Sequence, residues 1–196
     1  MEADRFHLIA FTSPERFPLE EEAAKIRHLI SAGFDFVHLR KPDYSLRDME
    51  GFLECLDNEE LSHVRLHSHF PLSDKYPVGG LHLNSRNPDP GNRRISLSKS
   101  LHTFEEIRQC GDDLDYFTFS PVFPSISKQG YMPRYGLAEI ASEIRGRKCV
   151  ALGGVTASRL GLLADCGFFG AAFLGGLWNK DFCKNVDEII NSKLKI

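Results

Sequence analysis

Two serines and a lysine, Ser125, Ser127 and Lys128, lie close together in residues 120–136, Ser-Pro-Val-Phe-Pro-Ser-Ile-Ser-Lys-Gln-Gly-Tyr-Met-Pro-Arg-Tyr-Gly. Hydroxyls and an ammonium presented by a stretch stiffened with Pro121, Pro124 and Pro133 suit the gripping of a small anion. A solvated crossover loop can use the same residues, so the rest of the chain has to decide. Other residues point the same way. Arg40 carries a guanidinium, which meets phosphate through two parallel hydrogen bonds; a rim salt bridge is its bland alternative. Gly153-Gly154 and Gly175-Gly176 are paired glycines, which let an anion approach backbone N–H groups. His67-x-His69 with His82 has the residue types of a metal site. No acidic residue stands beside these histidines, and at strand ends such groups more often serve as hydrogen-bonding partners.

These residues need a frame, and the chain supplies a repeating one. Short apolar runs at 6–11, 36–39, 64–66, 80–83, 94–97, 116–119, 149–152 and 170–174 read as eight strands. Helical patterns follow at 19–31, 45–56, 104–110, 137–145, 157–166 and 181–192, with Ser45, Thr103 and Thr156 as caps and Gly33 and Gly167 as stops. The link at 70–78 is too short for a long helix. Repeated strand-then-helix order predicts parallel strands joined by right-handed crossovers. Eight such units close into a (β/α)₈ TIM barrel, here a compact one with shortened connectors after strands three and four. A doubly wound open sheet is the alternative.

In such a barrel the chemistry sits at the C-terminal strand ends. His38 and Arg40, two apart, point to one side of strand two. His67 and His69 end strand three, Ser100 and His102 follow strand five, and the glycine pairs follow strands seven and eight. Loops after the last two strands of these barrels often hold phosphate.

The bulk numbers exclude other classes. The chain has 196 residues, 42% of them hydrophobic, which fits one domain spanning 1–196. Its net charge of -3 and lack of a basic stripe argue against nucleic acid as a partner. No apolar run approaches the roughly 20 residues of a membrane span. The N-terminus lacks a signal-peptide pattern, and five scattered cysteines with no Cys-x-x-Cys argue against a disulfide framework. A reduced, cytoplasmic protein is expected; a homo-oligomer is compatible with these numbers.

Four motifs carry a resemblance: Phe36-Val-His-Leu-Arg40, Gly80-Leu-His-Leu83, residues 120–128 and Ala151-Leu-Gly-Gly-Val155. In sequence and order they resemble the motifs of the thiamine phosphate synthase family (thiamine phosphate pyrophosphorylase), which includes the related thiazole tautomerases. The resemblance covers nearly the whole chain. It implies a TIM barrel in thiamine biosynthesis that joins a pyrimidine methyl diphosphate to a thiazole phosphate and releases diphosphate. It implies catalytic roles for Arg40, Lys128 and Ser100. Substrate contacts are expected from His38, His67, His69, His102, Ser125, Ser127, Gly153, Gly154, Gly175 and Gly176. The partners implied are the small phosphorylated pyrimidine and thiazole substrates.

The chain departs from the pattern where the family's carboxylates serve Mg²⁺. After strand three it has His67-Ser68-His69, and after strand four Asn84-Ser85-Arg86-Asn87, with Asp89 near but out of register. Mg²⁺ remains an expected cofactor without its usual ligands, and no metal ligand is assigned. The middle region resembles the tautomerases instead, although their histidine base corresponds here to Pro121. Two other readings follow: a tautomerase acting on thiazole phosphate carboxylate, with His38, His67, His69 or His102 as proton shuttle, or a barrel that binds thiazole or thiamine phosphate without catalysis.

Overall fold

The computed structural model describes residues 5–124 and 132–196. Ser125, Ser127 and Lys128 lie outside the described residues. Eight parallel strands close into a barrel in chain order: β1 His7–Phe11, β2 Phe36–Leu39, β3 Val64–Leu66, β4 Gly80–Leu83, β5 Leu97–Leu101, β6 Tyr116–Phe119, β7 Cys149–Ala151 and β8 Gly170–Phe173, with β8 pairing back to β1. The helices are α1 Leu19–Ala32, α2 Leu46–Leu53, α3 Asn58–Ser62, α4 Phe104–Gln109, α5 Leu137–Glu143, α6 Leu160–Asp165 and α7 Phe182–Lys193. The connectors after β3 and β4 are reduced to a 3₁₀ turn, Phe70–Asp74, and an irregular stretch over 84–96. The barrel expected from the strand-helix repeat is the one found.

The strands form because alternate residues serve two layers. Val37, Leu39, Val64, Leu66, Leu81 and Leu83 face the helices and join the main core. α1 lays Ala23, Ile26 and Leu29 against that layer, and Gly33 ends it at φ 103, a backbone state that glycine adopts without strain. Ser45 and Asp48 make the reciprocal cap read from the sequence.

Three details differ from the sequence reading. β5 runs Leu97–Leu101 rather than 94–97, because its inward residues are Ser98 and Ser100 and the apolar cue lay too early. The helix after Ser45 stops at Leu53, and a separate α3 starts on its own Asp57–Glu60 capping box. Thr156 makes no side-chain cap; Ala157–Arg159 is a 3₁₀ turn before α6.

The barrel interior is divided. Ile9, Phe11, Val150 and Ala172 fill one side with apolar groups, with Tyr116 at their edge. The other side holds buried polar groups: His38, Arg65, His67, His82, Ser98 and Thr118. Arg65 stacks on Phe36 and Tyr116, 4.3 and 5.0 Å from the ring centroids, and pairs with Asp115 at 3.3 Å. Gly80 makes room for it: a Cβ there would fall 2.6 Å from the Ser96 carbonyl and against the Arg65 guanidinium.

Lys41, next to Arg40, points outward into the α1 layer. Its ammonium meets Glu22 Oε2 at 2.7 Å, and both side chains are fully buried. It donates its remaining hydrogen bonds to the carbonyls of Ser13 and Glu15, at 2.8 and 2.7 Å. The ammonium thus has two carbonyl acceptors and one ion-pair partner.

At the opposite end of the barrel, Asp35 accepts from the Leu8 amide at 2.9 Å and lies 3.2 Å from His7 and 3.7 Å from Lys193. Burial alone would raise its pKa, but His7, the Leu8 amide and Lys193 outweigh burial and hold the carboxyl below its usual value. A depressed folded pKa gives stability that is present above the unfolded value of 3.8 and lost as pH falls through the folded one. Asp35→Asn should therefore cost about 1.5–3 kcal/mol at neutral pH and flatten the acid limb below pH 3.8. Urea unfolding of both proteins from pH 7 to pH 2 checks it. No helix among the described residues is long and apolar enough to cross a membrane.

Candidate active site at the barrel mouth

A cavity of about 820 Å³ opens at the C-terminal strand ends, a size that suits a small-molecule site. Arg40, His67, His69, Ser100, His102, Gly153, Gly154, Gly175 and Gly176 all line it. His38 does not. It points into the barrel as the strand alternation required, but one layer too deep, and its side chain is fully buried beneath the cavity. Direct substrate contact by His38 is therefore corrected to a supporting position under His67.

Arg40 follows β2. Its main chain is pinned from both sides by Thr12, whose hydroxyl accepts from the Arg40 amide at 2.9 Å and donates to its carbonyl at 3.3 Å. Its guanidinium lines the cavity and has no carboxylate within salt-bridge distance among the described residues. Arg86, which the sequence reading passed over, lines the same side.

Beneath these cations runs a hydrogen-bonded chain. Tyr116 OH is 2.6 Å from His38 Nε2, and His38 Nδ1 is 2.9 Å from His67 Nε2. One proton lies in each link. With all rings neutral, the outward nitrogen of His67 carries a proton when the Tyr116 hydroxyl donates to His38, and is bare when His38 donates to Tyr116. His82 stacks on His67 at 4.3 Å and is held by Ser98 and Ser100, each at 2.8 Å. All three imidazoles are kept uncharged. Burial lowers His38 and His67 well below the usual range, helped by neighbouring rings and by Arg65 and Arg40 respectively; burial and Arg65 bring His82 down to about 3. The Ser98-x-Ser100 and Tyr116-x-Thr118 alternations are the sequence signal for this polar interior, and the reading missed it.

His69 and His102 are each fixed by a carbonyl. His69 Nε2 donates to Tyr44 O at 3.0 Å, with the residue in the left-handed region at φ 54. His102 Nδ1 donates to Ser120 O at 2.9 Å, which leaves Nε2 bare in the neutral ring.

Across the cavity stand the glycines. Gly153 and Gly154 have φ of 90 and 64. A Cβ on Gly153 would lie 2.9 Å from Pro121 Cα, and one on Gly154 would lie 2.7 Å from Phe123 Cβ. These glycines let the root of the loop after β6 pack on the end of β7. Gly154→Ala should cost about 1–3 kcal/mol and disturb that packing, whereas Gly176→Ala meets nothing within 4 Å and should be near neutral. Thermal unfolding of the two variants checks the contrast. Own-residue caps occupy the N-termini of α2, α3 and α4. The 3₁₀ turn after Gly154 and helix α7 have no side-chain cap.

The sequence model described as Thiamine monophosphate synthase matches residues 8–177. The chain belongs to the thiamine monophosphate synthase family. It is 30% identical to a thiamine phosphate pyrophosphorylase structure from Bacteroides thetaiotaomicron, covering 97% of this chain and 96% of that one with a TM-score of 0.75. The thiamine-phosphate synthase of Chlamydia caviae is 25% identical over 89% of this chain and 88% of its own length. That of Syntrophomonas wolfei is 28% identical over 78% and 79%. A thiamine phosphate pyrophosphorylase structure from Pyrococcus furiosus, at 16% identity and a TM-score of 0.80, shares the fold.

Family membership brings Mg²⁺ into question, and the donors present do not fit it. Around β3 and β4 they are imidazole, amide and hydroxyl groups beside two arginines. Asp43 and Asp89 do not line the cavity; the carboxylate that does, Glu188, belongs to α7 near the glycines. Mg²⁺ asks for hard oxygen ligands.

Proposed function

We propose that the protein is a thiamine-phosphate synthase that joins a pyrimidine methyl diphosphate to a thiazole phosphate. The observation that carries this reading is one cavity with two ends suited to anions: Arg40 and Arg86 after β2 and β4, without a carboxylate partner among the described residues, and the glycine pairs after β7 and β8. The C–O bond to diphosphate breaks and the leaving group takes the electron pair. The thiazole nitrogen then forms the new C–N bond. Arg40 and Arg86 meet the charge that grows on the departing diphosphate. The thiazole phosphate lies toward Gly153, Gly154, Gly175 and Gly176, and Ser100 packs beside the reacting centre with its hydroxyl on His82. In this reading Ser125, Ser127 and Lys128 contact the phosphates, as the family resemblance implies, and His69 and His102 border the organic parts of the substrates. No step passes through Mg²⁺. The five free cysteines suit a reducing, cytoplasmic setting.

Diphosphate release from saturating pyrimidine diphosphate and thiazole phosphate, with Mg²⁺ and again with chelator, tests the proposal. Product under both conditions is expected; none under either sinks it. A second reading, thiazole tautomerase, is favoured by His102, whose bare Nε2 is a ready base. Turnover of thiazole phosphate carboxylate that disappears in His102→Gln would select it.

A further inference from the structure

We propose that His38, His67 and His82 bind a single divalent transition-metal ion of the Zn²⁺ class beneath the cavity. Each ring offers one nitrogen, and the three nitrogens lie within 4.8 Å of one another. The rings come from adjacent strands β2, β3 and β4, so the backbone that carries them is as fixed as any in the fold. Tetrahedral Zn–N bonds of about 2.0–2.1 Å place neighbouring nitrogens about 3.4 Å apart. His38 Nδ1 and His67 Nε2 stand at 2.9 Å. They need to part by only about 0.5 Å, within rotamer adjustment.

Two of the three nitrogens not facing the ion already have partners. His38 Nε2 has the Tyr116 hydroxyl at 2.6 Å, and His82 Nδ1 has Ser98, which itself donates to the Leu81 carbonyl at 3.3 Å. Such outer partners orient ligating imidazoles. In the metal-bound state His38 keeps its proton on Nε2, donates it to Tyr116 and turns a bare Nδ1 to the ion. His82 exchanges the Ser100 hydroxyl for the metal and keeps Ser98. Phe11, stacked on His38 at 4.4 Å, closes one side with an apolar wall. His67 and Ser100 line the cavity, so the ion lies directly beneath it, with a fourth position left for water. Imidazole donors select Zn²⁺, Cu²⁺, Fe²⁺ or Ni²⁺ over Mg²⁺. This centre therefore differs in donors and ion from a carboxylate-held Mg²⁺, and it does not depend on the proposed reaction.

The test uses the full chain, stripped with chelator and titrated with Zn²⁺ and Co²⁺ by calorimetry, followed by X-ray absorption of the Zn²⁺ form. One equivalent bound with micromolar or tighter affinity is expected, unaffected by excess Mg²⁺, with imidazole scattering from three nitrogen ligands. His67→Gln should abolish binding, and Tyr116→Phe should weaken it about 10- to 100-fold. His28→Gln, on α1, should leave it intact. No binding to the wild-type protein, thiolate scattering from the free cysteines, displacement by Mg²⁺, or full affinity in a folded His67→Gln variant overturns the proposal. Because the wild-type titration and its spectrum decide alone, a variant that fails to fold does not rescue it.

Discussion

Arg40→Met should lower kcat/KM for diphosphate release by about 100- to 1,000-fold while leaving thermal stability nearly unchanged. The size follows from removing a preorganised donor aimed at charge that develops in the transition state. The unchanged stability follows from the side chain's lack of a carboxylate partner among the described residues. Methionine keeps the length of the stem and removes the fork. Arg40→Lys keeps the charge but not the paired hydrogen bonds, so its rate should fall between the two. Thr12 grips the main chain of residue 40, so the backbone stays put in both variants. Steady-state kinetics with each precursor varied in turn should show the loss mainly against the pyrimidine diphosphate. A fall confined to the thiazole phosphate KM would place Arg40 on the wrong anion.

Glu22→Ala should destabilise the protein by about 3–5 kcal/mol, because it strands a buried ammonium. Lys41→Met should cost a similar amount, leaving Glu22 and the Ser13 and Glu15 carbonyls without their donor. Burial already pushes the Glu22 carboxyl up and the Lys41 ammonium down, with the ion pair opposing both. The double variant Glu22→Leu/Lys41→Met replaces charge with apolar volume, and most of the loss should return. Urea midpoints of the three variants decide it. If the single variants lose less than 1 kcal/mol, the pair is not what joins the segment after β1 to the end of β2.

The fold was legible because the outward strand faces carry Val37, Leu39, Val64, Leu66, Leu81 and Leu83 in short, evenly punctuated runs. β5 was displaced in the reading because it inverts that rule, sending Ser98 and Ser100 inward to hold His82. α2 was read three residues too long and α3 was not read at all, because its Asp57–Glu60 cap follows the end of α2 so closely. The cavity wall was legible too, since strand ends gather there in any such barrel: Arg40, His67, Ser100 and the glycines are where the reading put them. Depth was not legible. Alternation sends both His38 and Arg40 inward, and only the tilt and stagger of the closed barrel bury one and free the other. The Lys41–Glu22 pair joins residues far apart in sequence, and no local pattern announces it.

The packing of Gly153 and Gly154 against Pro121 and Phe123 bears on how this enzyme could be redesigned. The loop root and the two glycines form one interlocking part, split between two strands. A loop borrowed from a relative with bulkier residues at its root would not seat on this β7 end. Conversely, a side chain introduced at residue 154 would meet the backbone of Phe123 and Pro124, so the loop root itself would have to be replaced with it. Substrate range in this barrel is therefore best exchanged by grafting both pieces at once, as a two-part cassette.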